Sequence, residues 1–348
     1  MGVAAYNVMR ISKKYTGWCI FANIRKQAFS LKRSSNQEFV YMSLMNRVIQ
    51  RVKRDYFKGR HQKVVLKIMQ TKPASRGDLP FMLLSMVQAR DVHVYLVAVK
   101  SFIHFLNPQR IVVVCDPSIT EADRTVLKQH VPHIELRRAD EFTHPDIPRG
   151  GTWERLFAIS EYVRDNYVIQ LDADTLTVQP IPEVLDAIRA GNGFVLGEMP
   201  DTPVRSLQAT RENALPWIKP GAHIQGIVET EMVSVGLPDN ARYIRGCSGF
   251  SGFPRSDTMR ETMLDFSRRL GGKFGDRWRE WGTEQITSNY VASNMPGTRA
   301  LPFPKYATPD MATADTAFFH FIGSMRFLNN KYEVTSRQAI GLIRGVAA

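Results

Sequence analysis

The sequence predicts an α/β protein built on a mostly parallel sheet. Two observations carry that prediction. Through the body of the chain, short apolar runs alternate with longer amphipathic stretches, the pattern of βαβ units. One such run, 167–171, ends in Asp172 and Asp174, two carboxylates one residue apart. In open α/β sheets the carboxyl end of a strand is where ligands bind.

The elements follow in order. Residues 81–87 (FMLLSMV) read as a buried strand. Asp91 is placed to N-cap an apolar helix running to Leu106, and Pro108 ends it. Residues 111–115 form a second strand, closing on Asp116-Pro117. A helix over 121–130 and a short strand over 134–136 come next. The Gly150-Gly151 turn leads into a helix over 153–163, and then into the strand before Asp172. From Gly197 to Arg245 prolines and glycines accumulate and the periodicity weakens, which predicts an irregular binding loop or lid. Helices return at 256–270 and 284–291, and 318–322 is the last strand.

The net charge of +13 is concentrated at one end. Residues 1–62 carry thirteen Lys/Arg against Glu38 and Asp55, so +11 lies in an N-terminal extension and the body is 63–348. Within the extension Tyr41, Leu44, Met45, Val48, Val52 and Tyr56 recur at helical spacing. Arg47, Arg51, Arg54 and Lys58 fall on the other side of the same helix. Such a helix either packs its apolar face on the body, the commoner use, or lies on an anionic membrane surface. No recognition motif points to specific nucleic acid. No apolar run reaches the length of a membrane span, and the start lacks the apolar core of a secretory signal. Cys19, Cys115 and Cys247 are scattered and fit neither a disulfide framework nor a zinc site. A cytoplasmic protein is expected, peripheral at the inner face of the membrane if the helix meets lipid.

Asp-x-Asp by itself is common in solvated turns. After a buried strand it suits one hard divalent cation bridging a carboxylate and a diphosphate. A haloacid-dehalogenase-type phosphatase is the rival reading, with Asp172 as phosphoryl acceptor and Asp174 as acid/base. That motif opens its core domain and needs a later acidic pair behind a strand. Here it lies mid-chain, and Asp276 and Glu280 sit in a polar stretch. Gly246, Gly249 and Gly252 recur every three residues around Ser248 and Ser251. They either let a backbone approach a ligand or mark a bulged strand. Glu284 and Gln285 open a helix, where backbone N–H groups face anionic or hydroxyl-rich ligands; dipole compensation is the plainer use. His320, the only histidine after residue 223, sits on an apolar strand with Arg326 six positions on. An imidazole completes a site begun by two carboxylates, and a guanidinium grips a diphosphate.

Taken in order, the strand ending in Asp116, Arg155-Leu156, LDADT, SGFSGFPR, GTEQ and HFIG resemble a GT-A-fold nucleotide-sugar glycosyltransferase. The group most resembled is that of glycogenin and the bacterial galactosyltransferases (family eight), and the resemblance spans 81–327. It implies a GT-A, Rossmann-like mixed sheet flanked by helices, with the basic helical extension added in front. It implies that Asp172, Asp174 and His320 hold Mn2+ (or Mg2+) on the diphosphate of a UDP-sugar. Asp116 would face the base and Arg155 the nucleotide. Ser248, Gly249 and Phe250 would border the donor sugar. Glu284 and Gln285 would lie by the transferred sugar, and Arg326 on the phosphates. The implied reaction is retaining hexosyl transfer to a glycan or lipid-linked acceptor hydroxyl. The chain departs from the pattern in its tail, where Arg326-Phe327-Leu328 replaces Lys-Pro-Trp, and in Glu284, where the family carries Asp. Arginine and lysine are not geometric equivalents on a phosphate. A sugar nucleotidyltransferase would show a glycine-rich loop after its first strand, and 88–91 (QARD) contains none. A non-catalytic basic protein binding membrane or polyanions is the remaining alternative. It predicts salt-sensitive binding and no metal-dependent affinity for UDP.

Overall fold

A computed structural model describes residues 35–197 and 199–345. The extension's first seven cations and Cys19 lie outside the described residues. The helices are α1 (Ser35–Val65), α2 (Val92–Ile103), α3 (Glu121–His130), α4 (Trp153–Tyr162), α5 (Pro182–Ala190), α6 (Leu207–Ala214), α7 (Ile224–Glu231), α8 (Met259–Phe274), α9 (Thr283–Ser293) and α10 (Lys331–Arg344). The strands are β1 (Leu79–Val87), β2 (Pro108–Cys115), β3 (Ile134–Arg138), β4 (Val168–Leu171), β5 (Thr175–Thr177), β6 (Phe194–Gly197), β7 (Arg205–Ser206), β8 (Arg242–Tyr243), β9 (Gly246–Phe253), β10 (Arg299–Ala300), β11 (Tyr306–Ala307) and β12 (Phe318–His320).

The chain divides into two units, Met1–Lys53 and Arg54–Ala348. In the first, Arg47, Val48, Arg51, Val52 and Lys53 are all exposed. The second holds a seven-stranded sheet in the order β10-β6-β9-β4-β1-β2-β3. Only β9 runs against its neighbours, antiparallel to both β4 and β6. This is the mostly parallel sheet that the alternating pattern predicts, mixed as the resemblance implies. It is buried on both faces. Phe81, Leu83 and Val87 of β1 join one apolar layer with α2 and α10. Met82 and Leu84 join the other with α4, α8 and α9. Burial on both sides explains why the strands read as continuous apolar runs rather than alternating ones.

Three local expectations are corrected. Asp91 stands at the N-terminus of α2 but its side chain makes no cap bond, and the helix stops at Ile103 rather than Leu106. Pro108 opens β2, since a first strand residue need not donate to the ladder. The stretch 197–245 is not irregular: it holds α6, capped by Ser206, and α7, capped by His223 Nδ1. Its Pro216, Gly221, Gly236 and Pro238 fall in the connections. Each helix has eight residues, too few to set a readable period.

The sheet order also locates a crevice. Strands β1, β2 and β3 build outward in one direction, whereas β4 pairs with the opposite edge of β1. The switch point is therefore between β1 and β4, and their carboxyl ends open onto the place where such sheets bind ligands. Asp172 immediately follows β4 there.

Candidate active site

The two aspartates lie not on a strand but in the turn joining β4 to β5. That turn is fixed by backbone bonds. Asp172 N–H donates to Gly249 O at 2.9 Å, and Thr175 Oγ1 donates to Asp172 O at 2.8 Å. β5 then pairs antiparallel with β12 in a register that sets His320 opposite Thr175. Phe321 N–H donates to Asp174 O at 2.9 Å. The ladder thus brings a histidine far along the chain against the paired acids.

His320 Nε2 lies 3.2 Å from Asp174 Oδ1 and 3.8 Å from Asp172 Oδ2. One ligand atom from each of the three residues falls within 4.8 Å of the others. Two hard oxygens and an imidazole suit a first-row divalent ion. The electrostatics agree. Burial, together with the neighbouring Asp174 charge, pushes Asp172 above the usual carboxylate range, against Arg155. Burial also opposes ionisation of Asp174, but His320 and Arg326 outweigh it and hold that carboxyl below the usual range. Two close carboxylates repel, and a cation between them relieves the repulsion. The residues present fit a divalent ion.

On its other side the imidazole is fixed. Its Nδ1 lies 3.2 Å from Cys247 Sγ. A Cβ added at Gly249 would lie 2.1 Å from His320 Cε1, so the ring stands directly on the β9 backbone. The glycine of this segment makes room for a site residue. Burial works against protonating His320, but Cys247 and Asp174 hold it well above the ordinary imidazole value.

Behind the aspartates is a buried polar network. The Arg155 guanidinium pairs with Asp172 through Nη1 and with Glu284 Oε1 through Nη2, at 3.1 Å for the latter. Glu284 Oε2 accepts from Thr152 Oγ1 at 3.0 Å and from Ser248 Oγ at 3.3 Å. Burial pushes Glu284 above the usual carboxylate range despite Arg155. Gln285 Oε1 accepts from Ser248 N at 3.4 Å, and its Nε2 donates to Gln225 Oε1 at 3.4 Å. Arg326 pairs with Asp174 through Nη2 while its Nε donates to Phe321 O at 2.9 Å.

The sequence-predicted residues therefore distribute unevenly. Asp172, Asp174, His320, Arg155, Glu284, Ser248, Gly249 and Arg326 form one connected cluster, with Gln285 bonded to its edge. Asp116 follows β2 beside the end of β1, its N–H bonded to Val87 O at 3.0 Å. Its carboxylate accepts from Ser118 N and Oγ, closing its own turn. The Phe250 ring does not border the cluster. It is fully buried and stacks on Phe318 with centroids 4.0 Å apart, so only its backbone is available to the site. Cys247 and Thr152 escaped the sequence reading. No periodicity finds Cys247, because β9 is irregular against β6 between Cys247 and Ser251. Thr152, held at φ 73°, has no such signal either.

No protein-family model matches the chain, and no curated protein does. Solved structures do. The bifunctional glycosyltransferase WbbM matches at 14% identity and TM-score 0.45, over 72% of this chain and 47% of that one. The galactosyltransferase LgtC, in complex with donor and acceptor sugar analogues, matches at 13% identity and TM-score 0.43, over 77% and 97% of the two chains. Core-mannan synthase A from Aspergillus fumigatus, in a Mn/GDP form, matches at 10% identity and TM-score 0.41, over 79% and 88%. Likeness of this depth assigns no residue role to this chain.

Proposed function

We propose that this protein transfers a sugar from a nucleotide-diphosphate donor, a UDP-sugar, to a hydroxyl of a glycan or lipid-linked acceptor. The reading is supported above all by the convergence of Asp172, Asp174 and His320 at the switch point of the sheet. These three would hold Mn2+ or Mg2+. When bound, the ion stabilises the departing diphosphate as a Lewis acid. Arg326 adds positive charge where negative charge grows. Glu284 and Gln285 face the transferred sugar, and retention at the anomeric carbon fits a carboxylate there. Ser248, Gly249 and the Phe250 backbone border the donor sugar, and Asp116 meets the base. Arg155 acts on the nucleotide indirectly, since both its terminal nitrogens already hold Asp172 and Glu284. The transferase domain is the body of the chain, and the basic extension before Arg54 lies outside the chemistry.

Calorimetric titration with UDP, with and without Mn2+, tests the reading. UDP should bind with metal-dependent affinity, and Asp174→Ala should lose the metal-dependent part. An unchanged titration of that variant sinks the ion assignment. A hydrolysis screen over UDP-, GDP- and CMP-sugars then identifies the donor.

A second reading concerns partners. Val48, Val52 and Tyr56 are 62%, 59% and 58% exposed, an apolar stripe at four-residue intervals on α1. Exposed Arg47, Arg51, Lys53, Arg54 and Lys58 accompany it. That combination favours an anionic membrane surface as a partner. Among the described residues, no helix is long and apolar enough to cross a membrane.

A further inference from the structure

Both acids of the ion site are already bonded to guanidinium groups, and the two arginines differ in kind. Arg155 is 3% exposed, sits within α4, and is held at its other nitrogen by Glu284. It has nowhere to go. Its charge and that of Glu284 cancel. Arg326 is 29% exposed and is carried on the five-residue segment Gly323–Phe327 that follows β12. Its Nη2 occupies Asp174 Oδ2, while His320 Nε2 faces Asp174 Oδ1. With the Arg155–Glu284 pair balanced, Arg326 offsets the charge of Asp174 directly. A divalent cation arriving with Arg326 still in place would meet a like charge on the same carboxylate, in a site where burial weakens screening.

We propose that Arg326 is an exchangeable counter-ion for Asp174, which it neutralises until a diphosphate draws it away. The proposal rests on the metal-dependent transferase reading above. A diphosphate offers the guanidinium a bidentate partner of higher charge than one carboxylate. Release of Arg326 frees Asp174 for the ion, and the ion then helps to hold the diphosphate. The two ligands therefore bind cooperatively, and by linkage each tightens the other by the same factor. Arg326 thus has two positions, one for each state, and it opposes binding of the ion without nucleotide. Asp91, at the start of α2, adds to the field that holds the guanidinium in this pocket.

The test uses the full chain and Mn2+ alone as probe. Calorimetry should show Arg326→Gln binding Mn2+ without nucleotide about tenfold more tightly than wild type. The same variant should bind UDP more weakly, and the tightening of Mn2+ by UDP should shrink toward none. Arg326→Lys keeps the cation and should stay near wild type for Mn2+ alone. Thermal unfolding of each variant confirms that it is folded. If Arg326→Gln binds Mn2+ no more tightly than wild type, whether both bind or neither does, the exchange is wrong. Asp174→Asn separates the two layers. If it binds Mn2+ as wild type does, the ion site itself falls. If it loses Mn2+ while Arg326→Gln is unchanged, only the exchange falls.

Discussion

Gly249 is the residue on which the candidate ion site depends most and whose side chain contributes nothing. A Cβ there would lie 2.5 Å from both His320 ring nitrogens, and His320 is packed too closely to yield. Its φ lies outside the left-handed region, so the constraint is the ring and not the dihedral angles. Gly249→Ala should displace the imidazole from Asp174. The expected result is a loss of Mn2+ affinity of about 10–100-fold, the range seen when the support of a metal ligand is disturbed. Overpacking should cost about 1–3 kcal/mol of stability. Mn2+ titration in the presence of UDP, beside thermal unfolding, separates the two effects; a variant that is destabilised yet binds Mn2+ normally would show that His320 is not a ligand. Asp172, Asp174 and His320 were legible in the sequence because ionisable groups near apolar strands are costly and call for a reason. Cys247 was not, because a small half-apolar side chain raises no such question until the facing ring is seen. Phe250 misled for the opposite reason. Its neighbours Ser248 and Gly249 belong to the site, but its own ring packs into the aromatic core on Phe318.

At the scale of elements, the last turns of α1 brace the segment that carries Arg326. Arg60 pairs with Glu333 of α10 at 2.7 Å. His61 Nε2 lies 3.1 Å from Ser336 Oγ, and its ring stacks on Tyr332 at 3.8 Å and leans on Phe327 at 5.5 Å. Burial, with Arg326 nearby, pushes His61 down to about 4. The sign follows directly. The unfolded chain binds a proton near pH 6.5 while the folded one refuses it, so stability is complete above that value and is lost as pH falls toward 4. At 1.36 kcal/mol per unit the loss from this residue is about 3 kcal/mol. His61→Gln removes the ionisable ring. Between pH 7 and pH 4.5 it should lose about 2–3 kcal/mol less stability than wild type in urea unfolding. Equal losses would show that His61 charges freely in the folded state. Elements of this kind were legible where the pattern was local. α3 runs over 121–130 as its spacing predicts, closed by a capping box between Thr120 and Asp123. The contacts of α1 with α10 were not legible, because more than 270 positions separate them and no periodicity reports a partner.

Across the whole molecule, charge is distributed as if two tasks had been divided. In the buried cluster the arginines are matched by acids. The excess of +13 is carried almost entirely by the extension. Near an anionic bilayer each Lys or Arg contributes about 1 kcal/mol, and the stripe of Val48, Val52 and Tyr56 adds apolar burial to that attraction. A membrane role therefore predicts two dependences at once, on surface charge and on residues before Arg54. A truncation should begin at Arg54, because Arg60 and His61 belong to the fold of the second unit. It removes ten cations and one acid. The full chain should float with phosphatidylserine vesicles and not with pure phosphatidylcholine, and 54–348 should float at least tenfold less. Raising salt to about 1 M, where charges are screened beyond about 3 Å, should release the full chain. Flotation that is equal for both forms, or unaffected by lipid charge, removes the membrane from the proposal.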